Sequence, residues 1–133
     1  KLERIVGVDL SKDQIENARN YIGDDKVELL QGTVYNLDFP DNSFDLVLTS
    51  EVLMHVPPDK LSAALKELIR VSKKHVVNME FYKKDFKGNL AEHNWTHEYP
   101  EVYEKVGHDV GKAVEIGDDQ TIFLVEKRTG FKE

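Results

Sequence analysis

RIVGVDLS, the stretch at residues 4–11, joins a short apolar run to an acidic residue. Its β-branched side chains follow one another almost without interruption, which is typical of a strand buried on both faces of a parallel sheet. Asp9 then lies at the carboxyl end of that strand, where open α/β sheets bind ligands. A carboxylate there can accept hydrogen bonds from both hydroxyls of a ribose. Alternatively, Asp9 only helps to cap the helix that begins after Ser11.

Strands and helices alternate along the rest of the chain. Hydrophobic periodicity and turn residues predict strands at 4–10, 27–30, 44–50 and 75–81, a closing hairpin of 112–117 and 121–128, and helices after Ser11, after Pro58 and at 100–105. Lys73 and Lys74 suit the carboxyl end of the second helix. We expect a single α/β domain over residues 1–133, with a Rossmann-like, mostly parallel sheet and an antiparallel C-terminal hairpin.

Composition excludes several classes of protein. The 133 residues carry 18 Lys and Arg against 25 Asp and Glu, and this net charge of -7 disfavours nucleic acid and anionic membranes as partners. The chain has no cysteine, so disulfides and thiolate metal sites are excluded, and a reducing cytoplasm is the expected location. We expect no membrane-spanning segment, because no apolar run approaches the roughly 20 residues that a bilayer requires.

The order of three motifs resembles the class I S-adenosylmethionine-dependent methyltransferases. These motifs are GVDLS at 7–11, VELLQG at 27–32 and FDLVLTSEVLMHV at 44–56. The resemblance implies S-adenosylmethionine as cofactor, with Asp9 on its ribose hydroxyls and Leu10 beside its adenine. It also implies that Gly32, Thr33 and Val34 cover the adenine edge, and that Ser50 lies near the methionine moiety. Thr33 departs from the family, which commonly has an acidic residue there, so any hydrogen bond that it accepts lacks charge assistance.

Glu51 and His55 are the expected catalytic residues at the acceptor end of the site. They lie four positions apart, so both would face one cleft if EVLMHV at 51–56 is helical. A base is needed only where the acceptor is a hydroxyl or a protonated amine, and histidine suits that role near neutral pH. Alternatively, His55 is an ordinary helix residue whose ring binds backbone or water.

His93 and His97 lie on either side of Trp95 in a polar, aromatic segment. The residues between them argue for a loop without a third metal ligand, so we expect no metal site and instead a flap over the acceptor pocket. EFYKKDFKG at 80–88 and DDQTIFLVEKR at 118–128 resemble methylases associated with nonulosonic, pseudaminic-type sugar pathways.

The resemblance also implies an acidic-x-Gly-x-Gly-x-Gly cofactor loop roughly 20 residues before the ribose acid. Only eight residues precede Asp9, so we expect an N-terminally incomplete domain that lacks the first strand and its helix. That strand is central in the family, between the strands that end here at Asp9 and Thr49. Its absence predicts a fragment, direct pairing of those two strands, or a homo-oligomer that forms by strand swapping or through exposed sheet edges.

Two main functions follow from these observations. The first is methyl transfer to a small-molecule acceptor, with the cofactor loop absent or supplied by another chain. The second is a non-catalytic, methyltransferase-like module for dimerisation or scaffolding. A nicotinamide-dependent oxidoreductase would also use a ribose acid after its second strand, but it explains the stretch at 44–56 less well.

Overall fold

The computed structural model describes residues 2–83, 86 and 90–128, in two compact units that divide after Asp38. The first unit contains strand β1 (Ile5–Asp9), helix α1 (Lys12–Ile22) and strand β2 (Val27–Gln31). The two strands pair in parallel, with Asp9 opposite Gln31. Their carboxyl ends therefore lie side by side, as the βαβ pattern predicts.

Helix α1 begins and ends at the residues that the sequence predicts. The Ser11 hydroxyl oxygen accepts a hydrogen bond from the Gln14 N–H at 3.3 Å. In a reciprocal capping box, the Gln14 side chain would accept a hydrogen bond from the Ser11 N–H. Here Asp9 Oδ1 accepts that hydrogen bond instead, at 2.8 Å. Gly23 ends the helix in the left-handed conformation, with φ of 61°, which glycine adopts without steric cost.

Among its described residues, the second unit contains one four-stranded sheet, with two helices and two 3₁₀ turns on the connections. Its regular elements are β3 (Phe44–Ser50), α2 (Leu61–Val71), β4 (Ser72–Phe81), α3 (Tyr99–Lys105), β5 (Val110–Ile116) and β6 (Gln120–Glu126), and short 3₁₀ turns span Leu53–His55 and Pro58–Lys60. The strand order is β3-β4-β6-β5. β3 and β4 are parallel, and β6 is antiparallel to both of its neighbours, which confirms the predicted C-terminal hairpin.

The core of the second unit lies under one face of this sheet. Helix α2 buries the leucine and isoleucine stripe that its spacing predicts, with Leu61, Leu65, Leu68 and Ile69 all buried. Alternate residues of β4 and β6 also point into the core, among them Val76, Phe123 and Val125. Several polar side chains are buried with them, among them Thr49, Asn78 and Glu80.

Two expectations about these elements are wrong. β4 begins at Ser72 instead of residue 75, because Ser72 is already extended and its hydroxyl donates to the Ile69 carbonyl at 2.8 Å. Lys73 and Lys74 therefore belong to the strand and not to the end of α2.

The strands that were expected to be buried on both faces are partly exposed. Ile5 in β1 is 43% exposed and Leu48 in β3 is 62% exposed. The two strands also belong to separate sheets, so the alternative in which they pair directly is wrong. Each has one hydrogen-bonded neighbour among the described strands, which leaves its other edge open there. None of the described helices combines the length and apolarity that crossing a bilayer requires.

Candidate functional site

In the first unit, the Asp9 carboxylate lies at the carboxyl end of β1 and is exposed. Its Oδ1 accepts the Ser11 N–H, whereas no group of the described residues donates to its Oδ2. The two interpretations of Asp9 are therefore compatible. One oxygen holds the start of α1, and the other is available to a ligand hydroxyl.

Leu10 and Gly32 lie beside this carboxylate. The Gly32 N–H donates to the Asp9 carbonyl at 2.9 Å, and the Gln31 side-chain amide donates to the Leu10 carbonyl at 3.1 Å. Leu10 is 74% exposed. A Cβ on Gly32 would lie 3.0 Å from a methyl group of Val8, so glycine lets the chain pass close to β1 here.

Thr33 and Val34 form a tight turn directly after Gly32. The Thr33 hydroxyl oxygen accepts the Tyr35 N–H at 3.2 Å, and Thr33 forms an isolated bridge with Asn36. A hydroxyl oxygen has a second lone pair, so Thr33 can still accept from an amino group. Both Thr33 and Val34 are half-buried. The structure thus brings together five predicted site residues at one edge of the β1–β2 sheet: Asp9, Leu10, Gly32, Thr33 and Val34.

In the second unit, Ser50 ends β3 and Glu51 follows it in the left-handed conformation, with φ of 55°. The Glu51 N–H donates to the Met79 carbonyl at 2.9 Å, and its carboxylate accepts from the Gln120 side chain. Only Leu53–His55 is helical, as a single 3₁₀ turn. The condition that 51–56 forms a helix is therefore not met, and the four-residue spacing does not place Glu51 and His55 on one helical face. Both side chains are exposed.

Glu80 is a buried polar residue of this region to which the sequence assigned no role. It lies in β4, its side chain is 0% exposed, and its Oε1 accepts the Leu53 N–H at 2.9 Å. Its Oε2 accepts the Thr49 hydroxyl at 2.8 Å and the Val52 N–H at 3.3 Å. Burial raises the pKa of Glu80 above its usual range, although these hydrogen bonds oppose the shift. Its position near the carboxyl end of β4, where ligands bind in open α/β sheets, was the signal in the sequence.

A buried chain of hydrogen bonds continues from Glu80 toward α3. The Asn78 side-chain amide donates to the Thr49 hydroxyl oxygen at 2.8 Å, and the Tyr103 hydroxyl donates to the Asn78 carbonyl oxygen. Burial, together with the nearby Glu80, raises the pKa of Tyr103. Tyr103 therefore stays protonated and serves as the donor at the end of this chain.

The segment around Trp95 contacts the 3₁₀ turn from its carbonyl side. The Trp95 N–H donates to the Met54 carbonyl at 2.8 Å. His97 Nε2 lies 2.9 Å from the Leu53 carbonyl, which can only accept, so that nitrogen carries the proton. Burial lowers the pKa of His97 and keeps the ring neutral at neutral pH. His93, by contrast, is exposed and makes no contact with this turn.

Comparison with known protein families matches residues 1–77, more than half of the chain, to the family described as a methyltransferase domain. The chain belongs to this family. The chain is 36% identical over 80 residues to an uncharacterized methyltransferase of Schizosaccharomyces pombe, a match that covers 52% of this chain and 27% of that protein. It is 41% identical over 70 residues to the demethylmenaquinone methyltransferase of Staphylococcus saprophyticus, covering 52% and 29%. The chain thus aligns with under a third of the length of these curated relatives.

Solved structures show the same fold. The chain superposes on a SAM-dependent methyltransferase from Aquifex aeolicus with a TM-score of 0.72 and 22% identity, covering 94% of this chain and 69% of that one. A SAM-dependent methyltransferase from Methanosarcina mazei gives a TM-score of 0.72 and 18% identity, with 93% and 82% covered. These similarities confirm the Rossmann-like methyltransferase fold. The resemblance to sugar-pathway methylases stays a prediction, and part of its first stretch, at 84–85 and 87–88, lies outside the described residues.

The family implies S-adenosylmethionine as the cofactor, and the chemistry of the first unit fits it. The open oxygen of Asp9 is a charged acceptor for ribose hydroxyls. The exposed Leu10 side chain beside it offers an apolar surface for a purine. The Thr33 turn adds a neutral acceptor close by.

Proposed function

We propose that this methyltransferase transfers the methyl group of S-adenosylmethionine to a small-molecule acceptor. The observation that carries the proposal is the Asp9 carboxylate, which keeps one oxygen for α1 and leaves the other open beside an exposed leucine. This carboxylate lies within the part of the chain that matches the methyltransferase domain.

The cofactor residues are Asp9, Leu10, Gly32, Thr33, Val34 and Ser50. S-adenosylmethionine supplies a methyl group on a sulfonium, and its transfer is an in-line displacement that depends on alignment more than on acid or base. Asp9 binds the ribose hydroxyls, and Leu10 packs against the adenine. Thr33 accepts from the adenine amino group with its second lone pair, and Ser50 lies beside the methionine moiety.

Glu51 and His55 act at the acceptor. Both are exposed at the carboxyl end of β3, where ligands bind in open α/β sheets. His55 removes a proton where the acceptor is a hydroxyl or a protonated amine, and Glu51 orients the acceptor through its carboxylate. Residues 94–97 form a flap that covers the acceptor. This flap is hydrogen-bonded to the 3₁₀ turn that carries His55.

A small-molecule acceptor is supported by the names of relatives. Sterol 24-C-methyltransferase of Aspergillus fumigatus is 36% identical over 73 residues, and the demethylmenaquinone methyltransferase of Staphylococcus epidermidis is 39% identical over 71 residues. The net charge of -7 also opposes a nucleic-acid acceptor. The resemblance to sugar-pathway methylases adds sugars to the acceptors worth testing.

The second candidate function is a non-catalytic module for dimerisation or scaffolding. It is supported by the exposed apolar side chains of β3, since Leu46 is 55% and Leu48 62% exposed. An interaction module needs this surface and does not need the open oxygen of Asp9.

Calorimetric titration of the purified chain with S-adenosylhomocysteine, with NAD as control, separates these functions. Micromolar binding of S-adenosylhomocysteine without binding of NAD supports the methyltransferase. A folded, monodisperse chain that binds neither ligand contradicts it for this chain and favours the module. Positive binding would be followed by release of S-adenosylhomocysteine from S-adenosylmethionine with a panel of quinols, phenols, carboxylates and sugars as acceptors.

A further inference from the structure

Glu80 is a buried carboxylate that no described lysine, arginine or histidine neutralises. Moving an unpaired carboxylate out of water costs roughly several kcal/mol unless hydrogen bonds replace its hydration. Glutamine or leucine would be the less costly choice if β4 only needed to fill this space. The presence of a carboxylate at position 80 therefore requires a reason that depends on its charge.

The partners of Glu80 supply that reason. Its two oxygens accept the N–H groups of Val52 and Leu53 at 3.3 and 2.9 Å. Backbone N–H groups at the start of a helical turn have no partner within the turn, and they carry partial positive charge. A carboxylate can accept two or more such donors at once, whereas a glutamine has a single accepting oxygen. The Glu80 side chain thus fixes the start of the turn that carries His55.

The hydrogen-bond chain behind Glu80 fixes the carboxylate itself. Because the Thr49 hydroxyl oxygen accepts from Asn78 at 2.8 Å, its proton is directed to Glu80 at 2.8 Å. The Asn78 amide is oriented in turn by the Tyr103 hydroxyl. Thr49, Asn78, Glu80 and Tyr103 are all buried, so water does not compete for these bonds.

The opposite side of the same turn is held as well. The Trp95 backbone N–H donates to the Met54 carbonyl, and His97 Nε2 donates to the Leu53 carbonyl. The backbone between β3 and Pro57 is therefore held through both its N–H groups and its carbonyls, while the Glu51 and His55 side chains stay exposed. A rigid backbone that presents exposed polar side chains is the arrangement that a preorganised acceptor site requires.

We propose that Glu80 is a positioning residue of the methyltransferase, whose buried carboxylate holds the Val52 and Leu53 N–H groups and thereby sets the placement of Glu51 and His55. The inference rests on the proposed function for the role of those two side chains. Glu80 itself stays buried and touches neither cofactor nor acceptor.

The test compares Glu80→Gln with Glu115→Gln, the same change at an exposed position of β5. Amide hydrogen exchange by NMR reports the Val52 and Leu53 N–H groups. We expect their protection to fall about tenfold to a hundredfold in Glu80→Gln, the factor for a lost hydrogen bond to a charged group. The β6 amides around Phe123 should keep their protection, and the His55 ring resonances should shift. Glu115→Gln should change none of these.

Unchanged protection at Val52 and Leu53, or an equal loss throughout the sheet, would overturn the proposal. If Glu80→Gln does not fold, Thr49→Val replaces it, because it removes the hydroxyl that binds Glu80 while keeping the shape of the side chain. Thr49→Ser keeps that hydroxyl and should restore the protection.

Activity supplies the readout that a purely structural role would not move. With an acceptor from the panel, Glu80→Gln should lower kcat about tenfold and leave the KM for S-adenosylmethionine within about twofold. A fall in kcat no larger than that of Glu115→Gln would overturn the positioning role. Failure of the wild-type chain to bind S-adenosylhomocysteine would refute the proposed function instead, and the exchange experiment would still decide whether Glu80 holds the turn.

Discussion

One oxygen of Asp9 binds the Ser11 N–H and the other is open among the described residues, so their roles can be separated by substitution. Asp9→Asn keeps an oxygen for the Ser11 N–H and removes the charge. We expect the affinity for S-adenosylhomocysteine to fall roughly tenfold, since charge-assisted hydrogen bonds are about twice as strong as neutral ones. The free energy of unfolding should change by less than about 0.5 kcal/mol, as for most surface changes. Calorimetric titration and urea unfolding measure the two quantities.

Asp9→Ala is the informative companion, because it removes both roles at once. Its affinity should fall at least as far as that of Asp9→Asn, and it should lose roughly 1 kcal/mol of stability with the bond to Ser11. If Asp9→Ala lost stability while both variants bound S-adenosylhomocysteine like the wild type, Asp9 would only cap α1.

Glu51 has a backbone conformation that disfavours every residue except glycine. Its φ of 55° lies in the left-handed region, and a non-glycine residue there costs roughly 1 kcal/mol. Glu51→Gly should therefore be more stable than Glu51→Ala by about 1 kcal/mol in urea unfolding. Both variants lose the contact with Gln120, so their difference isolates the backbone. Equal stabilities would mean that the conformation carries no strain. Both variants should be less active than the wild type, because both lack the carboxylate.

At the scale of elements, local signals predicted most of the helices and strands. Ser11 and Gly23 mark the two ends of α1 because caps act on the residues next to them. β3 coincides with the predicted 44–50 stretch, since its apolar run is bounded by turn residues. The start of β4 was misplaced because Lys73 and Lys74 suit a helix end as well as a strand, and only the Ser72 conformation decides between them.

The positioning network could not be predicted in this way. Glu80 binds Thr49 and Leu53, which are 31 and 27 positions away, and only the parallel pairing of β3 with β4 brings them together. Sequence reasoning identified the ends of these strands as the place to look, and it identified Glu51 and His55 by residue type. Their spacing would place both on one helical face only if 51–56 were helical, whereas the left-handed Glu51 lies outside the single 3₁₀ turn at Leu53–His55.

Burial of the His97 side chain makes the stability of the fold depend on pH. Burial lowers the pKa of His97 in the folded chain, so the unfolded chain binds more protons once pH falls below about 6.5, the ordinary value for histidine. The contribution of His97 is therefore complete above that pH and is lost as pH falls toward the folded value. The loss is at most about 1.4 kcal/mol per pH unit.

His97→Gln tests this dependence, because glutamine keeps an N–H donor for the Leu53 carbonyl and does not titrate. Urea unfolding at about pH 7.5, 6.5 and 5.5 should show a weaker fall in stability for the variant than for the wild type. His93→Gln is the matched control, since His93 is exposed and its removal should leave the slope as it is. Identical slopes in wild type and His97→Gln would refute a buried neutral His97.

At the scale of the whole molecule, β3 has one hydrogen-bonded neighbour among the described strands and exposes apolar side chains. Leu46 and Leu48 are 55% and 62% exposed on this strand. A strand with an open edge and an apolar face is a template for pairing with another chain. We expect the purified chain to self-associate through β3. A lysine on this strand opposes such pairing, because pairing with a second chain would bury the charge of the lysine.

Leu48→Lys should therefore shift the chain toward monomer in light scattering coupled to size-exclusion chromatography. The control is Ile116→Lys, at the opposite edge of the same sheet, where Ile116 is 40% exposed. It adds the same charge and should leave the association as it is in the wild type. A wild-type chain that is monomeric at all concentrations, or an equal effect of the two variants, would contradict association through β3. The comparison also weighs the two proposed functions, because a Leu48→Lys monomer that still binds S-adenosylhomocysteine would separate the cofactor site from the association surface.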